Sequence, residues 1–330
     1  MTKGDEIDAL VASVLKKAGK GAARRLGNEV PLSEVREVVP TPLGVVNNYV
    51  IGAGGLPVGR FIELFAEEGV GKTSFILGTI AAAQQAGAIT ALVETERRLS
   101  DERIRAFGVD KSKLILSEPD TLEDMLLAIE GVIDAAGATP ILIGVDSICP
   151  RTRNEKRRGL VKGEKKKGSG DSGAIVERAR VLTDAIRTMS VEVCDRRICI
   201  LASNHLKVKI GLAFGDKTRT AGGDQLKFYA TLRLQLMGGS AAEVNGEIVG
   251  KDITVLAKKN ILAPPFRKAR IRLLYSGQWD DQWSTIAHAK EIGILSRSAE
   301  YSPANYAKAL ELLERCHWLP SKKSSIRKGA

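Results

Sequence analysis

Residues 66–74 read Ala-Glu-Glu-Gly-Val-Gly-Lys-Thr-Ser, residue types at a spacing suited to holding phosphate. The stretch satisfies the pattern G-x-x-x-x-G-K-[ST] except at its first position, where Ala66 replaces glycine; a small side chain matters more there than positive φ. Gly69 and Gly71 let backbone N–H groups turn inward on the phosphates. Lys72 reaches the β- and γ-phosphates, and the Thr73 hydroxyl suits Mg²⁺. The helix that follows adds its positive N-terminal end, so Glu68, Gly69, Val70, Gly71, Lys72, Thr73 and Ser74 form a candidate nucleotide-binding set.

Three further stretches carry chemistry. The apolar run Pro-Ile-Leu-Ile-Gly-Val-Asp-Ser ends at Asp146 and Ser147, and a carboxylate at the C-terminal end of a buried strand lies where ligands of parallel sheets bind. Asp146 can hold Mg²⁺ through water. Glu94 and Glu96 end another apolar run, and hydrolysis of a γ-phosphate needs a proton acceptor near the attacking water; residue type alone does not choose between them. Asn204 and His205 end a third run and are suited to sensing the γ-phosphate. The loop after them carries Lys207, Lys209, Lys217 and Arg219, which would couple nucleotide state to a basic loop.

These residues need a scaffold. Arg60–Phe65 reads as a buried strand and Thr73–Ala83 as a helix. Strands follow at Ile89–Glu94, Lys113–Glu118, Pro140–Asp146 and Ile198–Ser203, with helices over Thr121–Ala136 and Ala174–Val193, the alternation of a mostly parallel α/β sheet. After Gly222-Gly223 the composition suggests a strand-rich extension. Pro264-Pro265 and Gly277 mark the way out of the core, and helical sequence follows Gln278. The reading is a core over 41–276 with an N-terminal helix and arm over 1–40 and a small C-terminal α+β domain with a basic tail over 277–330.

The chain has 330 residues, and no window approaches the roughly 20 uninterrupted apolar residues of a membrane span. No signal-peptide core opens it, so a cytoplasmic protein with no membrane partner is expected. Cys149, Cys194, Cys199 and Cys316, with three histidines, show no metal-ligand spacing, and buried free thiols are expected. Lys and Arg exceed Asp and Glu by 11. The segment 151–168 holds nine basic and two acidic residues and supplies seven of those charges. Flanked by glycines just after the Asp146 strand, it points to a polyanionic partner, nucleic acid.

Taken in order, "GAGGLPVGR", "GKTS", "PDT", "VDS", "KIGLAFG", "GGDQLKFYA" and "APPF" resemble the RecA-type DNA recombinases, over roughly two-thirds of the chain from Gly52 to Ser276. The resemblance implies a RecA-like P-loop ATPase core that binds ATP and Mg²⁺. It implies helical filaments on single-stranded DNA, with homology search and strand exchange against duplex. It selects Glu96 as the water-activating glutamate and makes His205 the γ-phosphate switch, where a histidine could add pH dependence near neutrality. The adenine-facing position, usually tyrosine, falls on Arg103. Of two lysines reaching a neighbouring subunit's ATP, Lys259 remains and Ile261 stands at the other.

The implied DNA-binding loops cover about 151–173 and 206–222, with Lys165, Lys166, Lys167, Lys207, Lys209, Gly222 and Gly223 as contacts, and Arg178 or Arg180 supplies another. Binding should then weaken with salt by a log–log slope of about −0.7 per phosphate contact on single strands. Residues 1–40 would pack on the adjacent subunit in an open helical homo-oligomer. The family's acidic C-terminal tail is replaced by a basic one, which predicts easier duplex binding. Single-strand-binding and mediator proteins are the implied accessory partners. The alternatives on the same core are a ring helicase or translocase, and an ATP- and DNA-binding mediator without strand exchange.

Overall fold

A computed structural model describes residues 2–19, 23, 35–148, 150–154, 170–208, 218–220 and 225–315. Contacts divide the chain into two units, Met1–Glu34 and Val35–Ala330. The first contains helix α1 (Lys3–Ala18). Thr2 caps it: its hydroxyl accepts from the Asp5 N–H at 3.3 Å, and the Asp5 carboxylate accepts from the Thr2 N–H at 2.7 Å, which satisfies two N–H groups that a helix start otherwise leaves bare. Ile7, Leu10 and Val14 recur at helical spacing and are exposed.

In the second unit β1 (Val38–Val39) pairs with β2 (Leu56–Pro57), and a short wide-turned helix, Val46–Ile51, lies between them. The chain continues through β3 (Arg60–Ala66), α2 (Lys72–Gln85), β4 (Ile89–Glu94), α3 (Asp101–Ala106), β5 (Leu114–Ser117), α4 (Leu122–Asp134) and β6 (Ile141–Asp146). Then come α5 (Gly170–Asp195), β7 (Ile198–Val208), β8 (Thr218–Thr220), α6 (Gln225–Tyr229), β9 (Leu232–Met237), β10 (Ala241–Val244) and β11 (Glu247–Asn260). β12 (Lys268–Leu274), β13 (Trp279–Asp280), α7 (Asp281–Glu291) and α8 (Pro303–Glu314) complete the order.

The main sheet runs β13-β12-β11-β9-β3-β7-β6-β4-β5, with β10 beside β11 and β8 beside β7. From β9 to β5 neighbouring strands are parallel; from β9 to β13 they are antiparallel. β6 up to Asp146, the first five residues of β7, and β3 apart from Arg60 and Glu63 are apolar because both sheet faces are covered. Phe75, Ile76, Leu77 and Ile80 of α2 pack on one face with Leu64, Leu142 and Leu201. Met125, Ile129, Leu182, Ile186 and Leu226 of α4, α5 and α6 pack on the other with Phe61, Ile143 and Ile200.

Two sequence expectations change. β7 runs on to Val208 rather than stopping at Ser203, because Leu206–Val208 pair antiparallel with Thr218–Thr220 of β8; Asn204 and His205 therefore lie within the strand. Pro264-Pro265 turn the chain from β11 into β12 inside the sheet, and Gly277 turns it from β12 into β13, so the chain leaves the sheet only after Asp280. Of the cysteines, Cys199 is buried and Cys194 half-buried, its sulfur accepting from the Arg60 guanidinium at 2.8 Å; Cys149 and Cys316 lie outside the described residues.

After Gly277 the short β13 joins the sheet, and α7 and α8 share a small cluster of Ile286, Ala289, Leu295 and Ala309. Asp281 ties this region together, accepting from the Tyr306 hydroxyl at 2.6 Å, the Gly44 N–H at 2.7 Å and the Thr285 hydroxyl at 3.0 Å. His288 on α7 is 2% exposed and lies 4.3 Å from the Tyr49 ring, centroid to centroid. Burial pushes its pKa down from 6.5 to about 4, against the opposite pull of Glu291, whose carboxylate is 3.8 Å away.

An imidazole that protonates less readily in the fold than in the open chain costs stability as pH falls from about 6.5 toward about 4, since the unfolded chain then binds the extra proton. From this residue alone, urea unfolding at pH 5 should show about 2 kcal/mol less stability than at pH 7. In His288→Leu that share of the acid-side loss should vanish, and an unchanged pH profile would refute the assignment.

Candidate active site

β3, β7, β6 and β4 are neighbours, and their C-terminal ends fall in line: Ala66 lies opposite His205, and Glu94 opposite Asp146. Ala66 ends β3 fully buried. The loop then turns through Gly69 at φ +75° and Gly71 at φ +124°, backbone conformations that glycine alone adopts without strain. A Cβ on Gly71 would also meet Ile253 and Leu273 side-chain carbons at 3.4 and 3.5 Å. The turn aims the N-terminal end of α2 at the space above the sheet, where an anion is favoured.

Lys72 opens α2, buried, with Nζ donating to the Ala66 carbonyl at 3.3 Å and the Glu67 carbonyl at 3.0 Å. Burial lowers its pKa, while Asp146, Glu96 and Glu68 pull the other way. The Thr73 hydroxyl donates to Asp146 Oδ2 at 2.6 Å, and Ser203 Oγ donates to Asp146 Oδ1 at 2.5 Å. Two hard oxygen donors, a hydroxyl and a carboxylate, thus stand side by side at the helix start. Among the described residues no group of three or more His, Cys, Asp or Glu could cage a metal, and Mg²⁺ does not require one when phosphates supply the remaining ligands.

The two glutamates that composition could not separate have different surroundings. Glu94 is buried, and its carboxylate accepts from the backbone N–H groups of Glu96, Arg97 and Arg98 at 3.1, 2.6 and 3.3 Å. It organises the turn after β4. Glu96 is carried by that turn to His205, with Oε1 2.8 Å from Nε2, and Arg98 lies 3.4 Å from Oε2. Burial opposes ionisation of Glu96, yet the hydrogen bond and charge of His205, a hydrogen bond from Ser147 and the charge of Arg98 together hold the carboxyl below its ordinary value. Thr95 clasps this turn to the end of β6, donating to the Ser147 carbonyl and accepting from the Ser147 N–H, both at 3.0 Å.

Lys72, Thr73, Asp146, Glu96 and His205 are thus brought to one sheet edge, with Glu68 joined to it through Arg98 at 3.2 Å. Arg103 on α3 donates to Ser74 Oγ at 3.3 Å. Lys259 is engaged elsewhere, at the end of α6, where Nζ donates to the Lys227 and Phe228 carbonyls at 2.8 and 2.9 Å. Val70 is buried in the loop. Among the nucleic-acid candidates, Arg178 is half-buried on α5 and Lys207 lies in β7 opposite Arg219. Lys165, Lys166, Lys167, Lys209, Gly222 and Gly223 lie outside the described residues.

Sequence reasoning missed three supporting groups. Ser203 lies two residues before His205 on the same strand face, and that spacing is the signal that could have found it. Lys251 of β11 donates to the Gly69 carbonyl at 2.5 Å; nothing in its neighbourhood of the chain marks it. The third is a buried ion pair on the opposite sheet face, Glu63 with Arg233 at 2.5 Å, to which Asn204 adds a 2.8 Å hydrogen bond. A lone acid inside the apolar run Arg60–Ala66 was its signal, because a charge is kept in such a place only when paired.

The model of the family described as RecA N-terminal domain matches residues 5–279. Among curated relatives, Protein RecA of Brucella anthropi is 33% identical over 303 residues, covering 92% of this chain and 80% of its own length. Protein RecA of Bifidobacterium breve is 33% identical over 295 residues, 89% of this chain and 72% of the relative. Protein RecA of Paracoccus denitrificans is 30% identical over 305 residues, 92% and 81% respectively. With a glycine-turned loop between strand and helix, a carboxylate and a glutamate–histidine pair on one edge of a mostly parallel sheet, this chain belongs to the RecA family of DNA-dependent recombinase ATPases.

Proposed function

We propose that this protein binds ATP with Mg²⁺ at Glu68–Ser74, forms helical filaments on single-stranded DNA and exchanges strands with homologous duplex. The observation that carries the reading is the 2.8 Å contact between His205 and Glu96 beside the 2.6 Å contact between Thr73 and Asp146. A water-activating carboxylate and a γ-phosphate sensor share one hydrogen bond, one strand away from the metal-holding pair. Thr73 and, through water, Asp146 would hold Mg²⁺, which when bound offsets phosphate charge.

The residues divide the work. Loop N–H groups and Lys72 orient the phosphates and counter charge as the terminal phosphate departs. Glu96, ionised at neutral pH, accepts the proton of the attacking water. His205 orients the Glu96 carboxylate, so a change at the γ-phosphate alters the last residues of β7, which include Lys207, and Lys209 comes next after the strand in sequence. Lys259 would act on a neighbouring subunit's nucleotide, and the exposed apolar stripe of α1 supports head-to-tail packing of copies. Lys165, Lys166, Lys167, Arg178, Gly222 and Gly223 complete the proposed DNA contacts. No helix among the described residues is long and apolar enough to cross a membrane.

The test is joint-molecule formation between labelled single-stranded DNA and homologous duplex with ATP and Mg²⁺, beside a non-homologous duplex. Homology-dependent product is expected. Intact DNA binding and ATP turnover without product would sink strand exchange and leave a translocase or mediator, and negative-stain images would then distinguish rings from filaments.

A further inference from the structure

The phosphate loop has two electrostatic sides. Asp146 and Glu96 make one of them acidic, and both act on Lys72. On the other side stand Arg103 and Lys251, contributed by α3 and β11. Lys251 Nζ rests on the Gly69 carbonyl at 2.5 Å, and Arg103 Nη2 on Ser74 Oγ at 3.3 Å. Each therefore touches a neutral oxygen of the loop or of the first turn of α2, and Arg103 is the charge felt by Lys251.

Neighbouring cations on the same surface are neutralised. Arg97 pairs with Asp120, Arg98 with Glu68 and Glu96, Arg105 and Lys111 with Asp101, and Lys113 with Asp110. Among the described residues neither Arg103 nor Lys251 has an ion pair. Both are half-buried, and burial followed by repulsion from Arg103 lowers the pKa of Lys251. Two partly desolvated like charges held together without a carboxylate are costly, and the cost falls when an anion lies between them.

We propose that Arg103, at the position the resemblance turns toward the base but here held on Ser74 Oγ, instead joins Lys251 in a two-cation clamp on the inner phosphates of the bound nucleotide, so that this chain selects its nucleotide by phosphate charge and discriminates little between bases. The proposal rests on reading residues 66–74 as the nucleotide-phosphate loop. Hydrolysis belongs to the acidic side, where Glu96 and the Thr73–Asp146 pair stand. The part of the nucleotide that is not cleaved leaves across the cationic side. Arg and Lys bind phosphate by charge-assisted hydrogen bonds whatever the base beyond it, whereas base selection needs hydrogen bonds to the base edge.

The test is calorimetric titration of the full chain with ADP, GDP, CDP, UDP and inorganic pyrophosphate, comparing wild type with Lys251→Met, Arg103→Met and Lys251→Arg. The four nucleoside diphosphates should bind within about threefold of one another. Lys251→Met and Arg103→Met should each weaken all of them and pyrophosphate by about tenfold, and Lys251→Arg should restore most of the loss. The loss in Lys251→Met should shrink as KCl rises from about 0.05 to about 0.5 M, because salt screens charge attraction and leaves packing alone.

A preference for ADP of about tenfold or more, or Met variants that bind ADP as wild type does, would overturn the clamp while leaving the nucleotide site standing. A salt-independent loss would also overturn it, showing that the Lys251 ammonium only braces the loop. If none of the diphosphates or pyrophosphate binds, the nucleotide-loop reading fails and the clamp with it.

Discussion

Lys72→Ala should lower kcat/KM for ATP hydrolysis by about 10³-fold or more and abolish joint-molecule formation. The ammonium is the one cation buried at the start of α2, held against the Ala66 and Glu67 carbonyls within electrostatic reach of Asp146 and Glu96. A bound triphosphate brings several negative charges into that space, and in a partly desolvated site a missing counter-charge costs far more than it would in water. The fold should survive, because the removed group packs in neither of the two apolar clusters on the sheet faces. DNA-stimulated phosphate release and the melting temperature, measured on the same preparation, separate the two effects. Hydrolysis within about tenfold of wild type would refute the assigned role.

Glu96→Gln should lower kcat by about 10² to 10⁴-fold, the range of a positioned general base, with little change in KM. The amide oxygen can still meet His205, but it takes no proton from water at neutral pH. DNA binding in ATP should therefore persist and outlast that of wild type, since turnover no longer releases it. Glu94→Gln is the informative companion. Its carboxylate accepts three backbone N–H groups at the end of β4, so loss of that charge should loosen the turn, lower the melting temperature and raise KM along with any fall in kcat. If Glu94→Gln instead reproduced the selective kcat loss with KM and melting unchanged, the assignment of the two glutamates would be reversed.

Much of this protein is legible along the chain because the information is local. The glycine-turned loop depends on nine consecutive residues between an apolar strand and a helix, and positive φ at Gly69 and Gly71 is written in residue type. Runs such as Ile89–Glu94 and Ile141–Asp146 announce buried parallel strands because both of their faces are covered. Asp146 stands at a strand end for the same reason, and the motif order from Gly52 to Ser276 carried the family.

What the chain order left open depends on contacts between distant segments. Glu94 and Glu96 are two residues apart with the same chemistry; only the turn after β4, closed by three N–H groups on Glu94, sends Glu96 toward a histidine 109 positions later. β7 outruns its apolar run because β8 supplies a partner for its last residues. Lys251 meets the Gly69 carbonyl across 182 residues of chain because the antiparallel β9, β11, β12 and β13 extend the sheet beside β3 and bring β11 beneath the glycine turn. Residue type and periodicity determine which groups exist and which element carries them. The tertiary structure decides which charges meet, because that depends on sheet order and register, and these follow from long-range pairing that no local pattern encodes.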